Sequence, residues 1–421
     1  MSESHEGLIA FVLPGGVGAV RHQSNNILVT NTVAGDFIQY QITEKRRGVW
    51  RGELLNVLEP SKDRIQALCP VATECGGCAL QHMNITSQAA LKTEWVRQAF
   101  VKCITSHSKL TALKPNQSEN TGRRRVRWFV ENGKIGFRKR TSHKIVHSPE
   151  CMVITSGLNE RRNQLEHILQ SFPTIIESIQ AIELSNGYHI IFESKTKLDD
   201  VEIPALNTEE GVQYWWRHLE SPSIKPLHRP TLSLFDSISL KPHKQSMVDI
   251  QIGPNDFIQG HQQGNQILIQ QILDWCKESH RIVDLFSGCG NLSLPLAAAF
   301  NAQVVGAESN VHSVNAANQN AKRLKLDATY QVVDLFGHFS IEPFIGADTL
   351  IIDPPRKGAK RICSMIQQFF PKQIIMVNCD AASGARDALS LQQAGFKLKA
   401  LRPLDLFPYT GHVEVISLWT T

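Results

Sequence analysis

Long apolar runs are missing from this chain of 421 residues. A membrane-spanning helix needs about 18 or more consecutive apolar residues, and the sequence contains no such run. Its opening residues, MSESHEGLIAFVLPGG, also lack the basic segment that precedes the apolar core of a secretory signal. We therefore expect a cytoplasmic protein with no membrane partner. We also expect a monomer.

Cysteine is scarce as well, with 9 residues at uneven spacing, which argues against the disulfide scaffold of a small secreted protein. With 42% hydrophobic residues, the chain has the composition of a globular protein of two or three domains. Free cysteine is usually a small buried apolar residue. We read four of the nine in this way: Cys103, Cys276, Cys289 and Cys363.

Positive charge is concentrated in one window of the sequence. Residues 123–144 contain nine basic side chains and a single acid, Glu131, although the net charge of the whole chain is only +5. The nine are Arg123, Arg124, Arg125, Arg127, Lys134, Arg138, Lys139, Arg140 and Lys144. The pattern predicts a hairpin with its turn at Glu131-Asn132-Gly133. A solvated strand pair would explain the charges, but the interleaved Trp128, Phe129 and Phe137 favour nucleic acid, because aromatic rings stack on unpaired bases.

Three regions differ in their patterns. Residues 1–62 contain short β-rich runs (GVGAVRH, NILVTNTV, DFIQYQITEKRRG and WRGELLNVLEP) separated by turn residues, which predicts a small β-barrel. Residues 63–254 mix strands with helices near 87–102 and 157–171 and form a middle α+β domain. In residues 255–421, apolar strands alternate with helices, which predicts a doubly wound parallel sheet ending in an antiparallel hairpin.

The last region carries a nucleoside-cofactor pattern. VDLFSGCGNLSLPLA at 283–297 reads as strand, glycine loop and helix, without the G-x-G-x-x-G spacing of a dinucleotide site. Glu308 ends the next strand, where an acid can bind ribose hydroxyls; an exposed acid at a helix start is the alternative. The arrangement is typical of class I S-adenosylmethionine methyltransferases, although another nucleoside cofactor would also fit.

Two later strands end at reactive groups on the same rim. One strand precedes Asp353-Pro354-Pro355-Arg356, where Arg356 replaces the tyrosine typical of enzymes that methylate exocyclic nitrogens. The strand KQIIMVN ends at Cys379, a candidate nucleophile. Glu414, in the terminal strand, is the candidate base, with a structural strand acid as the alternative.

These segments together resemble the RNA (uracil-5-)-methyltransferase family, especially its ribosomal-RNA members with an N-terminal TRAM domain. The resemblance covers nearly the whole chain. It is carried by the barrel, CPVATECGGCALQH, GRRRVRW with GFRKR, HSPEC, FIQ, VDLFSGCGNLSLPLA, DPPRKGA, NCDAASGARD and FPYTGHVE. The sequence departs from the family at Asp380 and Ala381, where members usually have Asn and Pro after the cysteine, and at His261, where they tend to have Asn.

The resemblance implies site residues and a mechanism. Cys379 would add to carbon 6 of uracil and Glu414 would later remove the proton from carbon 5. The positions that correspond to cofactor contacts are Gln259, Phe286, Asn291, Glu308, Asp334 and Asp353, of which Asp334 stands where the family tends to have Asn.

Four further cysteines have ligand-like spacing. Cys69, Cys75 and Cys78 follow a C-x5-C-x2-C pattern, and Cys151 comes after 72 more residues. Spacing alone leaves zinc and an iron–sulfur cluster open. The family resemblance implies a [4Fe–4S] cluster with a structural role, whereas disulfides are disfavoured in a reducing cytoplasm.

The sequence thus predicts an S-adenosylmethionine-dependent enzyme that makes 5-methyluridine in RNA, with 23S ribosomal RNA as the favoured partner and tRNA as an alternative. Its fold class would be an OB-like (TRAM) β-barrel, a central α+β domain and an α/β class I (Rossmann-like) methyltransferase domain. A 5-methylcytidine enzyme is disfavoured because no Pro-Cys pair follows the fourth strand. A non-catalytic RNA-binding iron–sulfur protein with a vestigial methyltransferase fold remains a second hypothesis.

Overall fold

A computed structural model gives the structure of the chain. It describes residues 3–115, 122–148, 150–171, 175–200, 206, 209–221, 223–230, 232–243 and 245–421. No helix in these ranges is both long enough and apolar enough to cross a bilayer.

The N-terminal strands form a closed barrel. They are β1 (Ser4–Leu13), β2 (Val17–His22), β3 (Asn25–Thr30), β4 (Phe37–Arg46) and β5 (Val49–Glu59), in the spatial order β1-β2-β3-β5-β4. Alternate residues point inward and form a core that includes the buried Ile9, Val29 and Tyr40. The predicted barrel is confirmed, but β1 was not among the predicted strands; it closes the barrel by pairing with both β2 and β4.

A seven-stranded sheet lies in the middle of the chain. This region contains α1 (Ile85–Ala99), β6 (Lys109–Leu110), β7 (Arg125–Glu131), β8 (Lys134–Arg138), β9 (Ile145–Val146), α2 (Ser156–Leu169), β10 (Ile176–Leu184), β11 (Gly187–Ser194), β12 (Val212–His218) and β13 (Ile224–Pro226). The sheet order is β13-β12-β11-β10-β7-β8-β9. One face packs on α2 around the buried Trp128 and Trp216. Asn84 and Thr155 cap the N-termini of α1 and α2 with their side-chain oxygens.

The C-terminal region is built on an eight-stranded sheet. Its elements are β14 (Phe235–Ser239), β15 (Met247–Gln251), α3 (Gln262–Trp275), β16 (Arg281–Leu285), α4 (Ser293–Phe300), β17 (Gln303–Glu308), α5 (Val311–Leu324), β18 (Ala328–Val332), β19 (Thr349–Ile352), α6 (Lys360–Ser364), β20 (Gln373–Asn378), α7 (Ala381–Gln393), β21 (Lys397–Leu404) and β22 (Glu414–Thr420). The order is β18-β17-β16-β19-β20-β22-β21-β6, while β14 and β15 pair separately. The predicted parallel sheet and terminal antiparallel hairpin are confirmed, because β16 to β20 run parallel and β22 pairs antiparallel with β20 and β21.

Buried polar contacts join these regions. The guanidinium of Arg124 is 2% exposed and donates two hydrogen bonds to the carboxylate of Asp236, at 2.5 and 2.8 Å, and one to the carbonyl of Gln259 at 3.0 Å. Lys92 of α1 is also fully buried and donates to Asp405 at 2.8 Å. These pairs hold the middle sheet against β14 and the segment before α3, and α1 against the chain that follows β21, since a buried charge is tolerated only beside its partner.

Candidate active site

Four neighbouring parallel strands end at one rim of the C-terminal sheet. Glu308 is the last residue of β17, while Phe286, Asp353 and Cys379 directly follow β16, β19 and β20. The last residues of β16 and β19, Leu285 and Ile352, pair with each other in the sheet. Ligands of open α/β sheets bind at this end of the strands. The predicted location of these groups at one edge of the sheet is therefore confirmed.

A cavity opens between this rim and the segment that precedes α3. It is lined by Phe257, Gln259, Asp284, Phe286, Ser287, Gly288, Cys289, Asn291, Leu292 and Asp353. Four of the six residues predicted to contact the cofactor are in this set, namely Gln259, Phe286, Asn291 and Asp353. Glu308 and Asp334 lie outside the lining.

The loop after β16 is held in a conformation that exposes its backbone to the cavity. Phe286 has a positive φ of 66°, which is unusual for a bulky residue, and Gly288 has a φ of 53°. Backbone N–H groups of Phe286 and Ser287 both donate to the carbonyl of Ala307, at 2.9 and 3.1 Å, and so tie the loop to β17. A Cβ on Gly288 would meet no atom within 4 Å, so its α-carbon faces open space where a ligand can approach closely.

Glu308 lies at the edge of the cavity. Its carboxylate accepts hydrogen bonds from the N–H groups of Gly288 at 3.2 Å and Asn310 at 2.9 Å, which fix it beside the glycine loop. Asp334 is exposed and accepts from the N–H of Phe336 at 3.0 Å; the ring of Phe336 packs 5.4 Å from that of Phe286. Asp334 is therefore one step from the cavity lining, because the residue that it holds packs against Phe286.

Asp284 is a lining residue that the sequence analysis did not single out. It is 1% exposed; one carboxyl oxygen accepts from Ser293 Oγ at 2.6 Å and the other has no hydrogen-bond partner among the described residues. Burial raises its pKa to about 7, and burial together with Asp284 raises the pKa of Asp353 to about 7. The signal was an acid inside the apolar strand RIVDL, which is costly unless the acid has a partner or a ligand.

The geometry brings Cys379 and Glu414 together across two antiparallel strands. Asn378 of β20 pairs with Val415 of β22, so the next step of the ladder sets Cys379 opposite Glu414. Glu414 is 2% exposed, and burial, together with the nearby Asp353, raises its pKa well above the ordinary value. Burial and the charges of Glu414 and Asp353 raise the pKa of the half-buried Cys379 thiol to about 11, whereas Arg356 opposes this shift.

The departures from the family pattern have local structural roles. Asp380 caps the N-terminus of α7 by accepting from the N–H of Ser383 at 2.7 Å. His261 caps α3 in the same way, because its Nδ1 accepts from the N–H of Gly264 at 2.9 Å. Both residues therefore cap a helix beside the site, and Asp380 directly follows Cys379 in the chain.

The raised pKa of Cys379 predicts a pH dependence of its reactivity. Only the thiolate reacts with iodoacetamide, so below a pKa of about 11 its alkylation rate should rise close to tenfold per pH unit. We expect the rate in the RNA-free protein to keep rising from pH 7 to pH 10, measured by mass spectrometry of the Cys379 peptide. In the Glu414→Gln variant the same profile should shift to lower pH, because one source of negative charge is removed. A plateau below pH 9 in the unaltered protein would contradict this description.

The basic hairpin is confirmed, with Glu131 paired to Lys134 across an Asn132-Gly133 turn in which both φ angles are positive. Its side chains, however, divide between two faces. Arg124 is buried against Asp236 and Trp128 is fully buried, so the expectation that Trp128 stacks on a base is wrong. Because strand residues alternate, only every second position of β7 can face a ligand.

The four ligand-like cysteines share one cavity next to this hairpin. Cys69, Cys75, Cys78 and Cys151 all line it, with Phe137 and Arg140 among the other lining residues. All four are free thiols, and the neighbouring thiols contribute to the raised pKa values of Cys75, Cys78 and Cys151, although burial is the main cause. In the described ranges, no three His, Cys, Asp or Glu side chains are close enough together to form a metal-binding group.

Comparison with known proteins gives three independent likenesses. Residues 257–374 match the family model described as "Methyltransferase small domain". The solved structure of the Pyrococcus abyssi tRNA (uracil-54, C5)-methyltransferase, in complex with S-adenosyl-L-homocysteine, aligns over 99% of both chains with a TM-score of 0.78 and 23% identity. At that identity the likeness shows the fold, which is a methyltransferase fold with an N-terminal barrel.

Curated relatives are more similar in sequence. The 23S rRNA (uracil(1939)-C(5))-methyltransferase RlmD of Shewanella sediminis is 30% identical, and the alignment covers 96% of this chain and 93% of that protein. The protein of the same name from Vibrio parahaemolyticus is also 30% identical with the same coverage. The chain therefore belongs to the RNA (uracil-C5)-methyltransferase family, and it is a methyltransferase.

Proposed function

We propose that this enzyme transfers a methyl group from S-adenosylmethionine to carbon 5 of a uridine in 23S ribosomal RNA, through a covalent adduct of Cys379. The observation that carries the proposal is the placement of Cys379 and Glu414 opposite each other at the rim of the cavity that contains Asp353. The names of the relatives at 30% identity support the choice of 23S rRNA.

Carbon 5 of uracil is too weak a nucleophile to attack the methyl sulfonium unaided. The Cys379 thiolate therefore adds to carbon 6: the S–C6 bond forms and the electrons of the C5–C6 double bond move onto the ring as an enolate. Carbon 5 then attacks the methyl group, and S-adenosylhomocysteine leaves with the electrons of its former S–CH₃ bond. The positive charge of Arg356 opposes part of the rise in the pKa of Cys379 and so favours the thiolate that starts the reaction.

The ionised Glu414 carboxylate completes the reaction as a general base. It takes the proton from carbon 5, the electrons of that C–H bond restore the C5–C6 double bond, and the C6–S bond breaks to release the thiolate. Burial makes Glu414 a stronger base than an exposed carboxylate, because it raises the pKa of this group. The target uridine has to leave its stack to reach Cys379, since carbon 6 is covered in a helix.

The methyl donor would occupy the cavity below this pair. We assign the ribose hydroxyls to Glu308, which the Gly288 and Asn310 N–H groups orient. Gln259, Phe286, Asn291 and Asp353 are part of the cavity lining, and Asp334 holds the backbone N–H of Phe336, whose ring packs against Phe286. One carboxyl oxygen of Asp284 has no hydrogen-bond partner among the described residues. It would accept a hydrogen bond from an amino group of the methyl donor or from water.

We further propose three domains, with boundaries at 1–62, 63–254 and 255–421. The closed barrel would be a TRAM domain that holds RNA, and the middle domain would hold both RNA and a [4Fe–4S] cluster. The four cysteines supply the type and number of ligands for such a cluster and line one cavity, but in the described ranges their thiols are not close enough together to form a metal-binding group, so they would have to move inward to bind it. The cluster would join the loop that carries Cys69, Cys75 and Cys78 to the basic hairpin. The backbones of Cys75 and Lys139 already form an isolated β-bridge there, and Arg140 donates a hydrogen bond to the carbonyl of Cys78 at 2.9 Å.

The cluster proposal predicts a colour and a stability effect. Protein purified without oxygen should be brown and contain about four iron atoms, and the Cys78→Ser variant should lose both the iron and several degrees of melting temperature. The Cys276→Ser variant, in which a buried cysteine outside the cavity is changed, should keep its iron. If the protein is colourless and contains one zinc ion, the four cysteines form a zinc site and the cluster proposal is wrong.

The substrate is tested directly by methylation of purified RNA. Unmodified 23S rRNA and tRNA are incubated separately with the enzyme and isotopically labelled S-adenosylmethionine, and the labelled nucleoside is identified by mass spectrometry. We expect 5-methyluridine in 23S rRNA only. Label in tRNA alone, or in 5-methylcytidine, would overturn the proposed substrate.

A further inference from the structure

The middle sheet carries arginines on the face opposite its apolar core. Along β7, Val126 and Trp128 point into the core on α2, and the alternate residues Arg125 and Arg127 point the other way. Arg217 of β12 lies on the same side, because it pairs with Glu193 in β11, whose carboxylate contacts both Arg127 and Arg217. We call Arg125, Arg127 and Arg217 the arginine face.

A single buried carboxylate organises this face. Glu193 is 0% exposed and accepts hydrogen bonds from Arg127 Nη2 at 2.6 Å and Arg217 Nη1 at 2.9 Å. Gln180 and Ser178 of β10 donate to the same carboxylate, at 2.7 and 2.6 Å. Burial alone would raise the pKa of Glu193, but the hydrogen bonds from Arg127 and Ser178 outweigh burial and lower it. Glu193 is therefore ionised at neutral pH and holds two guanidinium groups in fixed orientations.

The charges of the face do not balance. The face has three guanidinium groups, of which Arg127 and Arg217 share the single carboxylate of Glu193, and within the described part of the chain Arg125 has no ion-pair partner. Burial and repulsion from Arg217 and Arg127 lower the pKa of Arg125. An anion placed between these groups would relieve that repulsion, and the fork of N–H donors on arginine matches the oxygens of a phosphate.

The face adjoins the cavity assigned to the methyl donor. The guanidinium carbon of Arg125 lies 5.4 Å from the ring centroid of Phe257, and Phe257 lines that cavity although it is 59% exposed. Arg217 Nη2 also donates to Asn255 Oδ1 at 2.9 Å, two residues before Phe257. An anion on the arginine face would thus sit beside the entrance to the reaction site.

We propose that the arginine face is a phosphate clamp, which binds a backbone phosphate of the RNA next to the target uridine, with Glu193 as the positioning residue. The inference rests on the proposed function for the identity of the RNA. The predicted RNA-binding surface would thus extend from the basic hairpin to Glu193 of β11 and Arg217 of β12. Arg124 would not belong to it, because that side chain is buried against Asp236. The clamp would hold the strand while the uridine turns toward Cys379.

The test measures the affinity of the complete protein for a 23S rRNA fragment at several salt concentrations, without a methyl donor. Each lost phosphate contact should make the log–log salt slope shallower by about 0.7 to 0.9. We expect Arg125→Gln and Arg217→Gln each to weaken binding roughly 10- to 100-fold, the range for a lost charge-assisted hydrogen bond, and to show this change of slope. Lys225→Gln is the matched control, because this half-exposed lysine lies on β13 of the same sheet and pairs with Asp199.

Glu193→Gln separates positioning from simple electrostatics. The variant makes the protein more positive, so a face that attracts RNA only by charge would bind more tightly. We expect weaker binding and a higher KM for RNA with kcat little changed, because Arg127 and Arg217 lose their fixed orientation. The melting temperature and the affinity for S-adenosylhomocysteine show whether each variant is folded. If Glu193→Gln does not fold, the Arg125→Gln and Arg217→Gln variants alone test whether the arginine face binds RNA.

The outcomes distinguish the clamp from the proposed function. If the unaltered enzyme methylates no uridine but Arg125→Gln and Arg217→Gln still flatten the salt slope, the proposed function fails and the clamp stands. If the enzyme methylates 23S rRNA but both arginine variants match Lys225→Gln in affinity and slope, the clamp is overturned. Tighter binding by a folded Glu193→Gln variant would also overturn the positioning role.

Discussion

Replacing Cys379 with alanine is expected to abolish methyl transfer, with kcat falling by roughly 10⁴-fold or more, as is typical when a covalent nucleophile is lost. Without the thiolate, carbon 5 of uracil never acquires enolate character. The affinities for RNA and S-adenosylhomocysteine should stay within a few-fold, because the donor cavity does not include Cys379. Single-turnover methylation of a 23S rRNA fragment, together with binding measurements on the same protein, checks both parts.

A second cysteine supplies the control. Cys103 is 2% exposed and packs in the core near the end of α1, so Cys103→Ala removes a thiol of the same kind away from the rim. This variant should lose some stability but keep its kcat. Equal loss of activity in both variants, or a Cys379→Ala enzyme with more than about one tenth of the normal rate, would contradict the role of Cys379 as nucleophile.

The Glu414→Gln substitution is expected to stop the reaction after methyl transfer. Glutamine has nearly the same shape but cannot accept the proton from carbon 5, so the methylated base should stay bonded to Cys379. We expect protein and ordinary RNA to accumulate as a complex that survives denaturation, while release of 5-methyluridine falls by about 10²- to 10⁴-fold. Denaturing electrophoresis and the mass of the Cys379 peptide after nuclease digestion measure the adduct.

Glu177→Gln is the matched control for this substitution. Glu177 is an exposed strand acid of β10 that pairs with Lys195 on the surface, and its replacement should leave turnover unchanged. If Glu414→Gln forms no adduct but still turns over at the normal rate, another group must act as the base. If a folded Glu414→Gln enzyme neither turns over nor forms an adduct, Glu414 acts earlier, during addition of Cys379.

Much of the site could be predicted because strand ends share an edge in a parallel sheet. The patterns RIVDLF, QVVGAES, DTLIIDPP and KQIIMVN were each predicted as strands, and β16, β17, β19 and β20 confirm them. Cys379 and Asp353 could then be placed on one rim without knowledge of any distance. The turn at Asn132-Gly133 was also predictable, since this dipeptide readily adopts the two positive φ angles that a tight hairpin needs.

Contacts that depend on tertiary packing were not predictable. A run of arginines reads as uniformly exposed charge, but pairing of β7 with β10 turns Trp128 into the core, and the partner that buries Arg124 is Asp236, more than 100 residues away. Glu193 and Arg217 carry no sequence signal, because neither belongs to a charge cluster or a motif. Strand β1 was missed because its apolar stretch was considered only as a possible signal segment, whereas its inward residues complete the barrel.

Trapping with 5-fluorouridine tests most directly whether Cys379 attacks a uridine of 23S rRNA. Fluorine at carbon 5 blocks the final proton removal, so the enzyme should remain bonded to 5-fluorouridine-substituted RNA when S-adenosylmethionine is present. We predict a denaturation-resistant band that requires both Cys379 and the methyl donor and whose captured fragment comes from 23S rRNA. Folded enzyme that binds this RNA but forms no such band, or forms it equally well as Cys379→Ala, would contradict the account.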